Sequence, residues 1–321
     1  MKVRFRFILW FAFVLFISWS GSAFAIFDLA KITIRVVDET GKTVEGARVG
    51  IGFADNSQRH ETSVDGITNS EGLFSGSAKC NGNVGYNVTK SGYYMSIGEY
   101  SFNYEKKGII RWEPWNPNVT IMLRKIENQV PMYARDTEVS TLIIPVTGKD
   151  VGFDLIAYDW VRPYGKGKVA DLVCNLFVHD DGPTDYEYRV KINFPGQFNG
   201  IQSIEDDLLH GSEFKLPRFA PESGYNKGLT VFIDRKAIIK KSHKKNMNYI
   251  FRIRSEVEKG KLKRAMYGKI LGDFDIGTKK DGNAFLQFKY YLNPDYTRNL
   301  EFDPKRNLFL NLPSLEQVRI K

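Results

Sequence analysis

The sequence predicts an all-β protein made of two antiparallel β-sandwich domains behind a short export signal. Three observations carry that prediction. Residues 31–93 alternate apolar and polar side chains in short runs broken by Gly, Asn and Asp turns, as half-buried strands do. In the second half, Tyr186, Tyr188, Val190, Ile192 and Phe194 alternate with Glu187, Arg189, Lys191 and Asn193, the cleanest period-two signal in the chain. Between such runs the helical repeat is missing, which argues for sheets packed on sheets rather than a wound α/β fold.

Taken in order, residues 1–25 read as a targeting segment. Lys2, Arg4 and Arg6 form a basic start, Ile8 to Trp19 is apolar apart from Ser18, and Ala23-Phe24-Ala25 fits cleavage after Ala25. The apolar run is short of the roughly 20 residues that span a bilayer, so membrane contact is expected through this signal alone. The expected location is the periplasm or the cell surface. Those three basic residues account for three of the formal net charge of +9, no acid lies in 1–25, and +6 remains on the mature chain. A mature chain of roughly 300 residues suits two domains. Aromatic content of 14% beside a charged fraction of 26% excludes a disordered chain.

The first domain is expected over 26–127. Ile32, Ile34 and Val36 share one face of its first strand, and Asp38 to Gly41 supply a turn. Ala47, Val49, Ile51 and Phe53 alternate with Arg48, Gly50 and Gly52. Asn69 to Gly72 form a second turn ahead of Leu73 and Phe74, and Val84, Tyr86 and Val88 mark another strand. Ser91-Gly92 ends it where a left-handed backbone costs little. The run from Val37 to Val49, the run from Thr68 to Phe74, and Tyr86-Asn-Val88 with Gly92-Tyr93 together resemble the opening of carboxypeptidase regulatory-like domains. Thr43 stands where that family has proline. The resemblance implies a transthyretin-like sandwich in an accessory role, and it brings no catalytic residue with it.

Residues 93–118 are rich in rings. Exposed on a loop, Tyr100, Tyr104, Trp112 and Trp115 would stack on the apolar faces of sugars, so they are candidate ligand contacts. The plainer alternative is that these rings pack beneath the loop. Val119, Ile121 and Leu123 read as the last strand of the domain, and the polar stretch 125–138 with Pro131 as the boundary.

The second domain, 138–321, resembles no family and is read as further sheet. Leu142–Val146, Val151–Tyr158 and Val169–Val178 have strand length. Tyr249, Phe251 and Ile253 alternate with Arg252 and Arg254, and residues 284–292 alternate likewise. Ser203 to Leu209 alone hints at a helix, through a capping-box start. Cys80 and Cys174 fall in different domains, either as buried thiols or as an interdomain staple.

Three polar groupings bear on function. His179 to Asp185 offers oxygen ligands but lacks the spacing of a calcium loop, so no metal is expected. Asp206, Asp207 and His210 have acid–base chemistry available, or are plain surface. Lys240, Lys241, Lys244 and Lys245, with Arg235, Lys236 and His243, form a basic stretch. In an exported protein it would meet acidic polysaccharide or anionic headgroups rather than nucleic acid; the alternative is the lysine-rich outer face of an edge hairpin. The chain lacks the G-x-S-x-G, H-E-x-x-H, Walker and dinucleotide motifs, and no cofactor is expected. The expectation is therefore a non-enzymatic binding or structural accessory protein of the cell envelope, partnered by polysaccharide or another envelope protein. The alternative is an envelope-acting hydrolase, for which the sequence singles out no carboxylate pair.

Overall fold

A computed structural model describes residues 28–54, 61–105, 111–138, 140–235, 239–279 and 283–320, with backbone only for Asp28, Glu61, Tyr104 and Glu105. The expected signal segment and Lys236 lie outside the described residues. The strands of the first half are β1 (Asp28–Asp38), β2 (Arg48–Ala54), β3 (Glu61–Ile67), β4 (Leu73–Cys80), β5 (Asn83–Thr89), β6 (Ser96–Ser101), β7 (Tyr104–Glu105), β8 (Trp112–Glu113) and β9 (Asn118–Leu123). Those of the second half are β10 (Val130–Asp136), β11 (Leu142–Ile143), β12 (Asp150–Asp154), β13 (Asp159–Trp160), β14 (Leu172–Asp180), β15 (Tyr186–Asn193) and β16 (Gly200–Glu205). They continue with β17 (Gly211–Ser212), β18 (Gly228–Arg235), β19 (Ile239–Lys241), β20 (Met247–Glu258), β21 (Lys261–Thr278), β22 (Ala284–Asn293) and β23 (Phe302–Asn307). The fold is an all-β sandwich of several largely antiparallel sheets.

In the first half a sheet ordered β4-β1-β9 faces one ordered β17-β6-β5-β2-β3. Ile32, Ile34 and Val36 from one sheet meet Val49, Ile51, Phe53 and Val88 from the other, all fully buried. The period-two pattern is thus spent on a single shared core. Gly41, Gly72 and Gly92 sit in the turns with positive φ. At Gly72 a Cβ would also fall 2.6 Å from the Val36 carbonyl oxygen, so glycine is required there twice over. Two pairings among the described residues depart from the antiparallel expectation: β1 and β9 run parallel, with Thr33 opposite Asn118, and β10 and β23 in the second half also run parallel.

In the second half the sheet β13-β12-β14-β15-β18-β19 packs on a larger one ordered β16-β20-β21-β22-β10-β23. Phe153, Val190 and Ile192 meet Phe251, Phe288 and Tyr290 across that core. The far face of the larger sheet carries a separate cluster with Ile250, Ala265, Tyr267, Tyr291 and Phe302. Because both faces of the larger sheet are covered, Arg252 is buried although it alternates with Phe251 and Ile253. It is 6% exposed, stacks 4.3 Å over Tyr225 and donates to the Phe198 and Glu222 carbonyls.

Two other expectations are corrected. Ser203 to Glu205 end β16 instead of starting a helix, because Ile201 and Ile204 serve opposite faces of the sheet, a strand's period. The polar stretch 125–138 contains β10, whose fully buried Met132 and Ala134 join the larger sheet between β22 and β23. Conversely, β17 of the second half adds to the first half's sheet. Cys80 and Cys174 are buried in separate cores, and burial pushes the Cys174 thiol up to about 12.

A buried ionic cluster joins the halves. Glu301, whose side chain is fully buried, accepts from the Tyr94 hydroxyl at 2.7 Å and from the Glu127 and Asn128 amides at 2.9 and 2.8 Å. Its fourth donor is the Arg218 guanidinium at 2.6 Å, which also reaches Glu39 at 3.1 Å and Glu127 at 3.2 Å. Arg124 donates to the Phe214 and Leu216 carbonyls and lies 4.2 Å over the Phe214 ring. Beneath them the fully buried Lys269 sits 4.8 Å from the Phe214 ring centre and 5.0 Å from that of Tyr291. Burial first, and the neighbouring Arg124 charge second, lower its ammonium to about 7, against the pull of Glu301.

That value makes a prediction. The unfolded chain holds the Lys269 proton up to about 10.5, the folded one only to about 7, so folding gains stability as pH rises between them. Lys269→Met removes this dependence. Its stability relative to wild type should fall by roughly 2–4 kcal/mol between pH 7 and 10, read from urea unfolding. A pH-independent difference would contradict the placement of that charge.

Candidate binding cleft

A concave region of the second half forms where the β18–β19 hairpin parts from β20 and β21. Asp234 lies opposite Lys240 and Ile233 opposite Lys241 in the hairpin. Ser242 turns the chain back, its hydroxyl accepting from the Phe232 amide at 2.8 Å. The chain then returns to β20 through Asn246 at φ +63°. On the facing side, β21 carries an irregularity between Leu271 and Asp275 centred on Gly272 at φ +82°. The fully buried Asn248 braces both features: its carboxamide oxygen accepts from the Gly272 amide at 2.9 Å, and its nitrogen donates to the Asn246 carbonyl at 2.9 Å. Such a bulge re-aims the next side chain, here Asp273.

Asp273 is the pivot. Its carboxylate accepts from the Tyr249 hydroxyl at 2.5 Å, from the Lys244 amide at 2.8 Å and from the Phe274 amide at 2.8 Å. Burial, then the hydrogen bond to Asp273, holds the Tyr249 phenol well above its ordinary value, so it stays a neutral donor. On one side of Asp273 lies a cleft of about 460 Å³ lined in part by Phe232, Lys241, Ser242, Lys244 and Tyr249. On the other, a hollow of about 220 Å³ is lined by Asp136, Glu138, His243, Asp275 and Lys289, with Lys289 paired to Asp136 at 2.6 Å.

Lys240, Lys241, Lys244 and Lys245 are all exposed, and the structure brings Lys241 and Lys244 to the wall of the larger cleft. The aromatic candidates lie elsewhere, in the first half. Trp112 is half-buried, donates its indole N–H to the Cys80 carbonyl at 3.1 Å and lies flat enough on Gly82 that a Cβ there would come 3.0 Å from the ring. Tyr100 is half-buried and meets Phe102 edge-on at 5.0 Å. Trp115 is half-buried under the Arg111 guanidinium, 5.2 Å from its ring centre. Tyr104 contributes backbone pairing opposite Glu113; its side chain is outside the description. Tyr249, Phe232 and Asp273 were not legible as site residues, since what unites them is the bulge.

The other polar groupings also have places. His179 Nε2 lies 3.7 Å from Asp181 and 3.4 Å from Asp185, a trio whose ligand atoms fall within 4.8 Å of one another. His210 bridges Asp207 at 2.8 Å and Glu99 at 3.3 Å, joining the second half to β6. The contact with His210, then the Leu209 amide, hold the Asp207 carboxyl down to about 2.

No protein-family model and no curated protein matches the chain. Among solved structures, 3-chlorocatechol 1,2-dioxygenase from Rhodococcus opacus is similar over 31% of this chain at 12% identity and a TM-score of 0.25. The chain spans 60% of that enzyme's length. BcpA, the major pilin subunit of Bacillus cereus, is similar over 85% of this chain and 99% of its own, at 10% identity and a TM-score of 0.24. A candidate carbohydrate-binding protein from Bacteroides uniformis is similar over 82% of this chain and 98% of its own, at 12% identity and a TM-score of 0.19.

Proposed function

We propose that the chain is an exported, non-enzymatic binding protein of the cell envelope, and that the cleft beside Asp273 takes a segment of acidic polysaccharide. One observation carries this reading: the exposed Lys241 and Lys244 share a cleft of about 460 Å³ with Phe232 and Tyr249. Cations on the wall supply attraction for carboxylate or sulfate groups, and aromatic surface supplies a platform for the apolar face of a sugar. The basic, apolar and small-residue start of the chain supports export. The first half, on its resemblance to carboxypeptidase regulatory-like domains, serves as the accessory sandwich.

An array of acidic and neutral glycans, probed with the mature chain at low and at physiological ionic strength, tests this. Binding confined to acidic glycans and weakened at the higher salt supports the cleft, since screening shortens from about 30 Å to about 8 Å over that range. Binding to neutral glycans alone, or to none, rejects it.

A second reading, a hydrolase, is favoured by the carboxylates and His243 around the smaller hollow. Asp136 is paired with Lys289 and Asp273 accepts from three donors, which leaves Glu138, Asp275 and His243 for chemistry. Release of reducing ends from a bound polysaccharide by the wild type, abolished in Asp275→Asn, would establish it.

A further inference from the structure

The first sandwich is open along one side. In its larger sheet β6 is followed by β17, which supplies two residues: Gly211 opposite Ile97 and Ser212 opposite Ser96. The Glu213 amide donates to the Met95 carbonyl at 2.7 Å, so Met95, Ile97, Glu99 and Ser101 are the residues of this stretch that aim their backbone groups at the β17 side. Past Ile97, no strand among the described residues meets them. Across the gap the Thr33 amide donates to the Pro117 carbonyl at 2.9 Å, which commits the odd-numbered residues of β9 to β1. Asn118, Thr120 and Met122 therefore turn their backbone groups outward, and the Ser96 hydroxyl takes the Met122 carbonyl at 2.7 Å.

Between these edges lies a hollow of about 470 Å³. Consecutive residues line each wall, Ile97 to Glu99 on β6 and Thr120 to Met122 on β9; Tyr86 contributes to its lining, and His210 and Gly211 lie where β17 ends. Two walls made of consecutive strand residues describe a slot for an extended chain rather than a pocket for a compact ligand.

We propose that this slot receives an extended segment of a partner polypeptide, which continues β17 along the free edge of β6 and closes the sandwich by strand addition. The chain itself seats a strand in the first two positions of the slot, which fixes both the geometry and the occupant: unpaired strand amides and carbonyls are matched by another extended backbone. Apolar side chains are exposed around it, with Ile97 at 42% and Met122 at 43%, Met95 at 37% and Leu209 at 58%. Glu99, 73% exposed, stands at the mouth. The incoming segment therefore alternates apolar residues, facing Tyr86 and Met122, with a basic residue that meets Glu99. This inference stands apart from the polysaccharide reading, which uses the other half of the molecule.

The test selects a phage-displayed library of random seven-residue peptides on the mature chain and measures the enriched peptides against variants. Glu99→Pro removes one amide aimed into the slot and leaves the β5 side of β6 intact. It should weaken binding at least about tenfold at any salt, whereas Glu99→Gln, which keeps the backbone amide and removes only the exposed charge, should weaken it by at most about fivefold, an effect that disappears at high salt. Hydrogen exchange should slow at Glu99 and Ser101 when peptide is bound. If Glu99→Pro fails to fold by circular dichroism, Met122→Lys carries the same tenfold expectation on the opposite wall. Failure to enrich any sequence, equal affinity for these variants, or exchange protection at the Asp273 cleft instead would overturn the proposal.

Discussion

Arg254→Met is expected to lower the unfolding free energy by about 3–5 kcal/mol, the range for removing one partner of a buried ion pair. Arg254 lies at an irregularity of β20, between Ile253 and Glu256, with φ +48°. This conformation is costly for a residue with a Cβ, and it swings the guanidinium off the strand's regular alternation. The fork then grips Asp171 through two bonds of 2.8 Å and Asp154 through one of 2.7 Å. Both carboxylates are buried and organise the 155–171 connection: Asp154 accepts from the amides of Ile156, Ala157, Lys168 and Val169, and Asp171 from that of Leu155. Removing the cation leaves two carboxylates in a low-dielectric setting. Arg254→Lys should recover less than half of the loss, because one ammonium cannot reproduce the two-pronged contact. Urea titration followed by tryptophan fluorescence reads the effect, Trp160 being packed in the adjoining core. A loss below about 1 kcal/mol would place the pair with surface ion pairs and contradict this assignment.

Glu301→Leu should cost a similar amount, about 3–5 kcal/mol, for a different reason. Here the stranded groups are donors: the Tyr94 hydroxyl, the Glu127 and Asn128 amides and the Arg218 guanidinium, drawn from both halves of the chain. Burial alone would raise the Glu301 carboxyl, but the two amides, Tyr94 and Arg218 outweigh it and hold the group below its ordinary value. The stability this provides is present above the unfolded value of 4.5 and is lost as pH falls through the lower folded one. Glu301→Gln keeps an acceptor and should cost less than Glu301→Leu, and its deficit relative to wild type should shrink below pH 4.5. A deficit that persists unchanged into acid would show that the carboxylate charge is not what joins the halves.

The faces of individual strands were legible; their partners were not. Ile32, Ile34 and Val36 read as one face because local alternation reports burial directly, and all three are fully buried. The parallel pairing of β1 with β9 leaves no local trace, since alternation is the same for either direction. β10 escaped notice because only Met132 and Ala134 carry its buried face, amid Pro131, Arg135 and Asp136. The burial of Arg252 leaves no trace in the alternation of β20, because a single-strand pattern does not reveal a cover on the second face of a sheet. In the candidate cleft, Lys241 and Lys244 were visible as part of a charged stretch. Tyr249 and Asp273 were not, because their meeting depends on the bulge at Gly272, which in sequence is one glycine among 28.

Direct titration of an acidic oligosaccharide into the chain from Ile26 onward, beside Lys241→Ala/Lys244→Ala, tests the central claim most directly. Both lysines are exposed, so the double variant should keep its unfolding midpoint while binding weakens by at least about tenfold at low salt. The wild-type affinity should fall toward that of the variant as salt is raised. Equal affinities of the two proteins at low salt would contradict the assignment of the cleft.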